Sequence, residues 1–284
     1  MRIERIVLRH IRLPLLHPFE TSVGRTTERQ IILVHLRDAD GVEGWGECVA
    51  GEEPTYSEEW TETAWPTLQH ILAPLLVGQE LESAGHCEDL FEHIRGNPMA
   101  KAALETACWD LEARRLNVPL AQLLGGSRAE IASGVSIGLQ PSIDALLAKI
   151  AHELESGYQR IKIKIKPGKD MALLDAVRAR FPGIALMADA NSAYRLSDAP
   201  LLRQLDRFRL MMIEQPLGHD DIADHARLQR EIDTPICLDE SIRSARDARQ
   251  AIDAGACRII NIKVGRVGGH AEARRIESIC RERK

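Results

Sequence analysis

Five ionisable residues recur at almost constant spacing: Lys164, Asp189, Glu214 and Asp239 stand 25 residues apart, and Lys263 follows after 24. Each lies at or near the end of a short apolar run: Arg160 to Ile165, Ile184 to Asp189, Leu210 to Glu214, Pro235 to Asp239 and Arg258 to Lys263. If the repeat is one strand plus one helix, a (β/α) barrel gathers those strand ends on one face, where such folds build their sites. Three carboxylates converging there repel one another unless a cation sits among them. Oxygen donors without Cys or His suit a hard divalent ion, so Asp189, Glu214 and Asp239 are candidate ligands for Mg²⁺, with Mn²⁺ as its substitute. A lone acid at a strand end more often pairs with Arg or Lys; three in register shift the balance toward a metal.

Parity along RIKIKIK assigns the lysines. Ile161, Ile163 and Ile165 face the covering helices, which sends Lys162 and Lys164 to the inside of the sheet. Desolvation and a neighbouring cation both push a lysine amine down toward the range where it acts as a base. Lys164, nearest the strand end, is the expected base, and Lys162, one layer deeper, a fixed positive charge. Lys166 precedes Pro167-Gly168 and leaves with the loop. Lys263 arrives from the opposite side of the mouth. A proton acceptor or donor on each face of one carbon can remove and return a proton, so with the metal the expected chemistry is proton abstraction alpha to a carboxylate.

The elements that must hold these residues are legible too. From about residue 131, short apolar strands, beginning with Ser133 to Leu139, alternate with helices that start near Ser142, Asp170, Ser197, Asp220 and Ser244. Gly157, Pro182-Gly183 and Gly255 supply stops. This is the pattern of a parallel sheet made of βαβ units. Upstream, Ile3 to Ile11 alternates, and Gln30 to Leu36 and Val42 to Cys48 flank an Asp40-Gly41 turn, which predicts a small antiparallel sheet. Helices are expected over Trp60 to Leu76, with Pro66 and Pro74 at ends or kinks, and over Ala84 to Ile94. Another runs from Pro98, capped by Asn97, through Arg115 to about Asn117. Gly125-Gly126-Ser127 punctuates the chain, and a domain boundary is expected there.

Composition narrows the function. With 44% apolar and 28% charged residues, Gly 20 and Pro 13 in 284, disordered, fibrous and membrane-spanning classes drop out. Acidic residues exceed basic ones by 42 to 37 without a long basic run, which argues against nucleic acid as partner. MRIERIVLRH has no apolar signal core and reads as a first strand, so a cytoplasmic location is expected. The six cysteines form no CxxC pair and are expected as small core residues in a reducing compartment. His17, His35 and the other histidines show no metal spacing.

Taken jointly, Lys162-Ile163-Lys164, Asp189-Ala190-Asn191, Ile213-Glu214-Gln215-Pro216, Leu238-Asp239-Glu240-Ser241 and Asn261-Ile262-Lys263 are similar to the motifs of the enolase superfamily, in its muconate-lactonizing-like subgroup. A Lys base beside Mg²⁺ is already a known trait of those sites. The resemblance implies an α/β fold, with residues 1–125 an α+β capping domain and 126–284 the (β/α) barrel. Within the subgroup, the segments GWGEC, AGEEPTYSEEW, PICLDESI and NIKVGRVGG resemble o-succinylbenzoate synthases of the kind that also racemise N-succinylamino acids.

That resemblance implies a Mg²⁺-dependent syn-dehydration of a succinyl-hydroxycyclohexadiene carboxylate in menaquinone biosynthesis. Lys164 would take the alpha proton and assist departure of the hydroxyl, while Lys263 chiefly stabilises the enediolate; in racemisation the two exchange roles on opposite faces. It further implies substrate contacts at Asn191, at Phe19 and Tyr56 in the capping-domain loops, and at Ser136 on the first barrel strand. Each also has a plainer reading, as a turn Asn, a packed ring or a strand hydroxyl. N-succinylamino acid racemase and dipeptide epimerase remain alternatives, as does a non-catalytic barrel fragment. A small-molecule carboxylate substrate, no membrane and a homo-oligomer are the expected associations. At 25 residues per unit, the stretch after residue 125 holds six βα units, whereas a full barrel has eight, so the chain is expected to be a shortened version of a longer protein.

Overall fold

In the computed structural model, which describes residues 1–20 and 24–283, strands β1 (Ile3–Glu20), β2 (Arg25–Asp38) and β3 (Glu43–Cys48) form an antiparallel sheet in that order. The Asp40-Gly41 turn is where the pattern placed it: the Asp38 carboxylate accepts the amides of Asp40 and Val42 at 3.0 and 2.9 Å and closes the β2–β3 hairpin. β1 and β2 run further than the alternation of Ile3 to Ile11 indicates. Past an irregularity between Pro14 and Phe19 the hairpin continues to Glu20, whose carbonyl accepts Leu139 N at 2.9 Å. The far end of this sheet is thereby tied to the mouth of the next one.

The helices between the sheets partly differ from expectation. Trp60 to Leu76 is not one helix but α1 (Thr61–Thr67), a wider π turn at Leu68–Leu72 and a last turn at Ala73–Leu76. Pro74 has no N–H to offer the carbonyl four residues back, and a widened turn precedes it. Ala84 to Ile94 forms only two short 3₁₀ turns, Ala84–Cys87 and Asp89–Phe91. Local capture competes with helix propagation there: the Glu112 carboxylate takes Ala84 N at 2.6 Å, and Ser83 Oγ pairs with His86 Nδ1 at 3.0 Å.

Helix α2 (Pro98–Leu116) begins and ends close to its predicted bounds, but not with the predicted cap. Asn97 is left-handed, with φ 55°, and its amide turns back to Arg95 O at 3.1 Å. The orphan N–H groups of Met99 and Ala100 are taken by the carboxylate of Glu59, at 2.7 and 3.0 Å. A distant side chain thus supplies the cap, which no local pattern reveals.

Six strands, β4 (Gly134–Ile137), β5 (Arg160–Lys164), β6 (Ala185–Asp189), β7 (Met212–Glu214), β8 (Ile236–Leu238) and β9 (Ile259–Ile260), form a parallel sheet in chain order, an incomplete barrel. Helices α3 (Ile143–Glu155), α4 (Asp170–Arg180), α5 (Ile222–Glu231) and α6 (Ala245–Asp253) cover it. Ser142, Asp221 and Ser244 accept the amide three residues on, at 3.1, 2.9 and 3.2 Å, which fixes where α3, α5 and α6 start. Ile161, Ile163 and Ile165 are buried in one cluster with Leu146, Leu174 and Val177, so the strand parity is as the sequence indicates. A second cluster, including Ile32, Val34, Leu68, Leu104 and Phe91, fills the antiparallel unit. Cys48, Cys87, Cys108 and Cys237 are buried. Among the described residues no helix is long and apolar enough to cross a membrane.

Beyond β7 the chain is held by a buried histidine. His225 Nε2 accepts Leu217 N at 3.2 Å while Nδ1 meets Asp221 O at 2.5 Å, which needs the neutral ring with its proton on Nδ1. Burial lowers its pKa below the ordinary 6.5. The unfolded chain therefore binds the proton more readily, so this contribution is complete above about 6.5 and is lost as the pH falls through that value toward the lower folded one. Melting temperatures taken between pH 7 and 5 should drop more steeply for the unmodified chain than for His225→Gln. Parallel slopes would mean that another group is titrating.

Candidate active site

The C-terminal ends of β5 to β9 carry the ionisable residues in register. Lys164 pairs across the sheet with Asp189, and Asp189 with Glu214. Lys164 Nζ donates to Asp189 Oδ2 and to Asn191 Oδ1, both at 2.6 Å. Lys162 Nζ lies 2.7 Å from Glu214 Oε2 and 3.3 Å from Asp189 Oδ2. On the other flank Lys263 Nζ donates to Asp239 Oδ2 at 2.7 Å and to Tyr56 Oη at 3.0 Å. Asp189, Glu214 and Asp239 are all buried, whereas Lys263 is 43% exposed. Along the sheet the order is Lys164, three carboxylates, Lys263.

The backbone just beyond these strands is bent into conformations that side chains seldom adopt. Asn191, Ser192 and Gln215 have φ of 43°, 62° and 39°, and such strain concentrates where function over-determines the structure. The Gln215 amide explains one case: its oxygen accepts Asp239 N and Ser241 N at 3.0 and 3.2 Å, and its nitrogen donates to Ser241 Oγ at 2.7 Å. It splices the end of β7 to the turn after β8.

Four contributors were not singled out from the sequence. Arg266, almost fully buried, binds Asp239 Oδ1 through Nη1, which also reaches Tyr56 Oη at 2.7 Å. Asn261 Nδ2 donates to Glu214 Oε1 at 3.1 Å, and Glu240 Oε1 accepts Asn191 Nδ2 at 3.1 Å. Gln215 and Glu240 each directly follow a strand-end carboxylate, and Asn261 precedes Lys263 by two, so position alone was a signal for three of them. Arg266 offered only its place in a glycine-punctuated turn. The other expected contacts lie at the margin: the Phe19 ring centre is 5.9 Å from Lys164 Nζ, and Ser136 is exposed on β4, in register with Lys162.

Electrostatics hold Lys162 and Lys263 in the charged form. Burial works to lower Lys263, but the Asp239 carboxylate and Tyr56 together outweigh it and the amine ends well above its ordinary range. Lys162 is likewise raised, burial being overcome by Glu214 and Asp189. Lys162 is therefore the fixed positive charge that its depth on the strand implied; paired anions within hydrogen-bond reach win over desolvation. Glu214 is raised by burial and by Asp189, against Lys162. Asp239 is lowered, because Arg266 and Lys263 prevail over its burial. Burial and Asp239 push Glu240 up to about 7.

Among the described residues no three Asp, Glu, His or Cys side chains converge closely enough to hold a metal ion, which differs from the expected ligand cluster. The reason is that each carboxylate is satisfied by a cationic side chain. The donor set nonetheless fits a hard divalent ion: it offers only carboxylate oxygens, and the Lys162 ammonium bridging Asp189 and Glu214 shows that the space between them takes a cation.

Comparison with known proteins assigns the family. A profile described as the mandelate racemase / muconate lactonizing enzyme N-terminal domain matches residues 3–125, and one described as enolase C-terminal domain-like matches 145–284. The chain is 56% identical to the o-succinylbenzoate synthase of Geobacillus kaustophilus over 100% of its own length and 76% of that protein's. It is 48% identical to an N-succinylamino acid racemase of Thermus thermophilus, covering 99% of this chain and 76% of the relative. A dipeptide epimerase of Enterococcus faecalis, solved with Mg and the dipeptide L-Leu-L-Tyr, superposes with a TM-score of 0.92 at 26% identity, over 100% of this chain and 80% of that one. The chain belongs to the enolase superfamily, in its mandelate racemase / muconate lactonizing branch.

Proposed function

We propose that this protein dehydrates a succinyl-hydroxycyclohexadiene carboxylate to o-succinylbenzoate, a step of menaquinone biosynthesis, and also racemises N-succinylamino acids. The observation that carries the reading is the flanking order at the sheet's edge, with Lys164 and Lys263 on either side of Asp189, Glu214 and Asp239. Two amines separated by a row of carboxylates can address opposite faces of one substrate carbon. The names of the two relatives, a synthase at 56% identity and a racemase at 48%, support the substrate class.

Asp189, Glu214 and Asp239 would hold Mg²⁺, which would orient the substrate carboxylate and stabilise the negative charge that builds on it as the alpha carbon loses its proton. Lys164, as the neutral amine, takes that proton onto Nζ. The C–O bond to the neighbouring hydroxyl then breaks and the oxygen leaves with the same proton as water, so Lys164 ends neutral and the ring becomes aromatic. Lys263 stays protonated throughout this reaction and places its charge near the developing enediolate. Lys162 remains a fixed cation beside Glu214 and Asp189. Asn191, held between Lys164 and Glu240, orients the Lys164 amine. In racemisation one lysine removes the alpha proton from its face and the other, protonated, returns one from the opposite face.

The test is turnover of both substrate types with Mg²⁺. Formation of the aromatic product is followed by ultraviolet absorbance, and racemisation by deuterium entering the alpha position of either N-succinylamino acid enantiomer in D₂O. Both reactions are expected, both lost with EDTA and restored by Mg²⁺. A folded chain that turns over neither substrate rules the reading out.

A further inference from the structure

The two lysines are held by different parts of the molecule. Lys164 is the last residue of a five-residue strand, paired on the parallel sheet and buried. Lys263 lies three residues beyond β9, a strand of only two residues, and opens a four-residue turn, α7 (Val264–Val267). After Gly268-Gly269 the chain enters helix α8 (His270–Glu282), whose N-terminus has no capping side chain of its own. Arg266 ties this stretch to Asp239, and the rest of what fixes it comes from the antiparallel unit.

Glu105 lies two turns inside α2 with 1% of its surface exposed. Its carboxylate accepts His270 N at 2.8 Å and Ala271 N at 2.9 Å, and Trp109 Nε1 at 2.6 Å. It therefore caps α8 from another helix, where the first-turn N–H groups and the helix dipole favour an anion. The approach is so close that a Cβ on Gly269 would lie 2.3 Å from Glu105 Oε2, and one on Gly265 would lie 2.5 Å from Val49 Cγ2. Both ends of the turn that follows Lys263 are thus pressed against the antiparallel unit, and Lys263 itself reaches that unit through Tyr56. The same helix α2 is capped by Glu59, three residues from Tyr56.

We infer that Glu105 is the positioning residue for Lys263: by capping α8 it sets the reach of the turn that carries the Lys263 amine, while Lys164 is set independently by the parallel sheet. Loosening the cap therefore unbalances the two faces of the site instead of weakening both. The inference deepens the proposed two-lysine reading and rests on it for its kinetic consequence. Its structural part, the coupling of Glu105 to residues 263–267, stands on the hydrogen bonds alone.

The test uses the full chain with Mg²⁺ and each enantiomer of an N-succinylamino acid in D₂O. The enantiomer served by Lys263 is identified as the one whose alpha-proton exchange is lost in Lys263→Ala. In Glu105→Gln, exchange of that enantiomer is expected to fall about 10- to 100-fold, the cost of a displaced acid-base group, with the other enantiomer changed less than about threefold. Gly269→Ala, which drives a methyl against the carboxylate without altering Glu105, should give the same bias. Equal losses on both faces, or none, overturn the inference. If the unmodified chain exchanges neither enantiomer, the two-lysine function fails, and hydrogen exchange of the backbone decides the coupling. There, Glu105→Gln should speed the amides of 264–271 about tenfold or more and leave β5 and β6 unchanged. Acceleration confined to His270 and Ala271 would refute it.

Discussion

Lys164→Ala is expected to cut dehydration, and alpha-proton exchange of the enantiomer that Lys164 serves, by roughly 10²- to 10⁴-fold, the usual contribution of a positioned acid-base group. The cost to stability should be small for a buried ion pair. Asp189 loses the contact at 2.6 Å but keeps Lys162 at 3.3 Å and the Asn191 amide at 3.2 Å, so no bare charge is left behind. Lys164→Arg separates the two roles. A guanidinium keeps the pairing with Asp189 yet does not give up its proton near neutrality, so the variant should melt like the unmodified chain and be as inactive as Lys164→Ala. Deuterium wash-in and thermal melts read both quantities. An arginine variant that still exchanges at close to the original rate would remove Lys164 from the role of base.

The largest loss of stability is expected at Asp239. Asp239→Ala leaves Arg266, at 4% exposure, without the carboxylate that receives its Nη1. Arg266 cannot swing to water without giving up Ile242 O at 2.9 Å and Asn261 O at 2.7 Å. Breaking one side of a buried pair costs about 3–5 kcal/mol. At about 2–4 °C per kcal/mol for a chain of this size, the melting temperature should fall on the order of 10 °C. The exposed pair of Arg281 and Glu277 makes a control, since Glu277→Ala should cost less than about 0.5 kcal/mol. If Asp239→Ala melts no lower than Glu277→Ala, the buried pair does not support the fold.

The parts of the fold that follow from periodicity were readable in advance. Alternation in RIKIKIK assigned Ile161, Ile163 and Ile165 to the helices and the lysines to the interior, because one-residue parity permits no other arrangement. The constant repeat of strand plus helix put Lys164, Asp189, Glu214 and Asp239 on neighbouring strand ends for the same reason. What stayed hidden depends on partners far apart in the chain. Asn97 has the composition of a cap, but Glu59, outside the helix, takes the amides. Ala84 to Ile94 has helical spacing, yet Glu112 captures its first amide. Arg266 became visible as a partner of Asp239 only once β8 and the turn after β9 were side by side. The pairing of each lysine with a particular carboxylate was hidden for a related reason: residue spacing placed a cation among the carboxylates but did not show that the lysines would serve as that cation.

The cap on α8 also has a consequence for how the chain is made. His270 is joined to the growing chain 165 residues after Glu105. At about 5–20 residues per second, the N-terminal unit waits roughly 10–30 s for the backbone donors that complete it. During that interval the Glu105 carboxylate has Trp109 Nε1 and no helix end, in a position that folding removes from water. A nascent chain therefore carries one uncapped carboxylate until helix α8 emerges, and a ribosome that stalls before residue 270 leaves an N-terminal unit marked as incomplete.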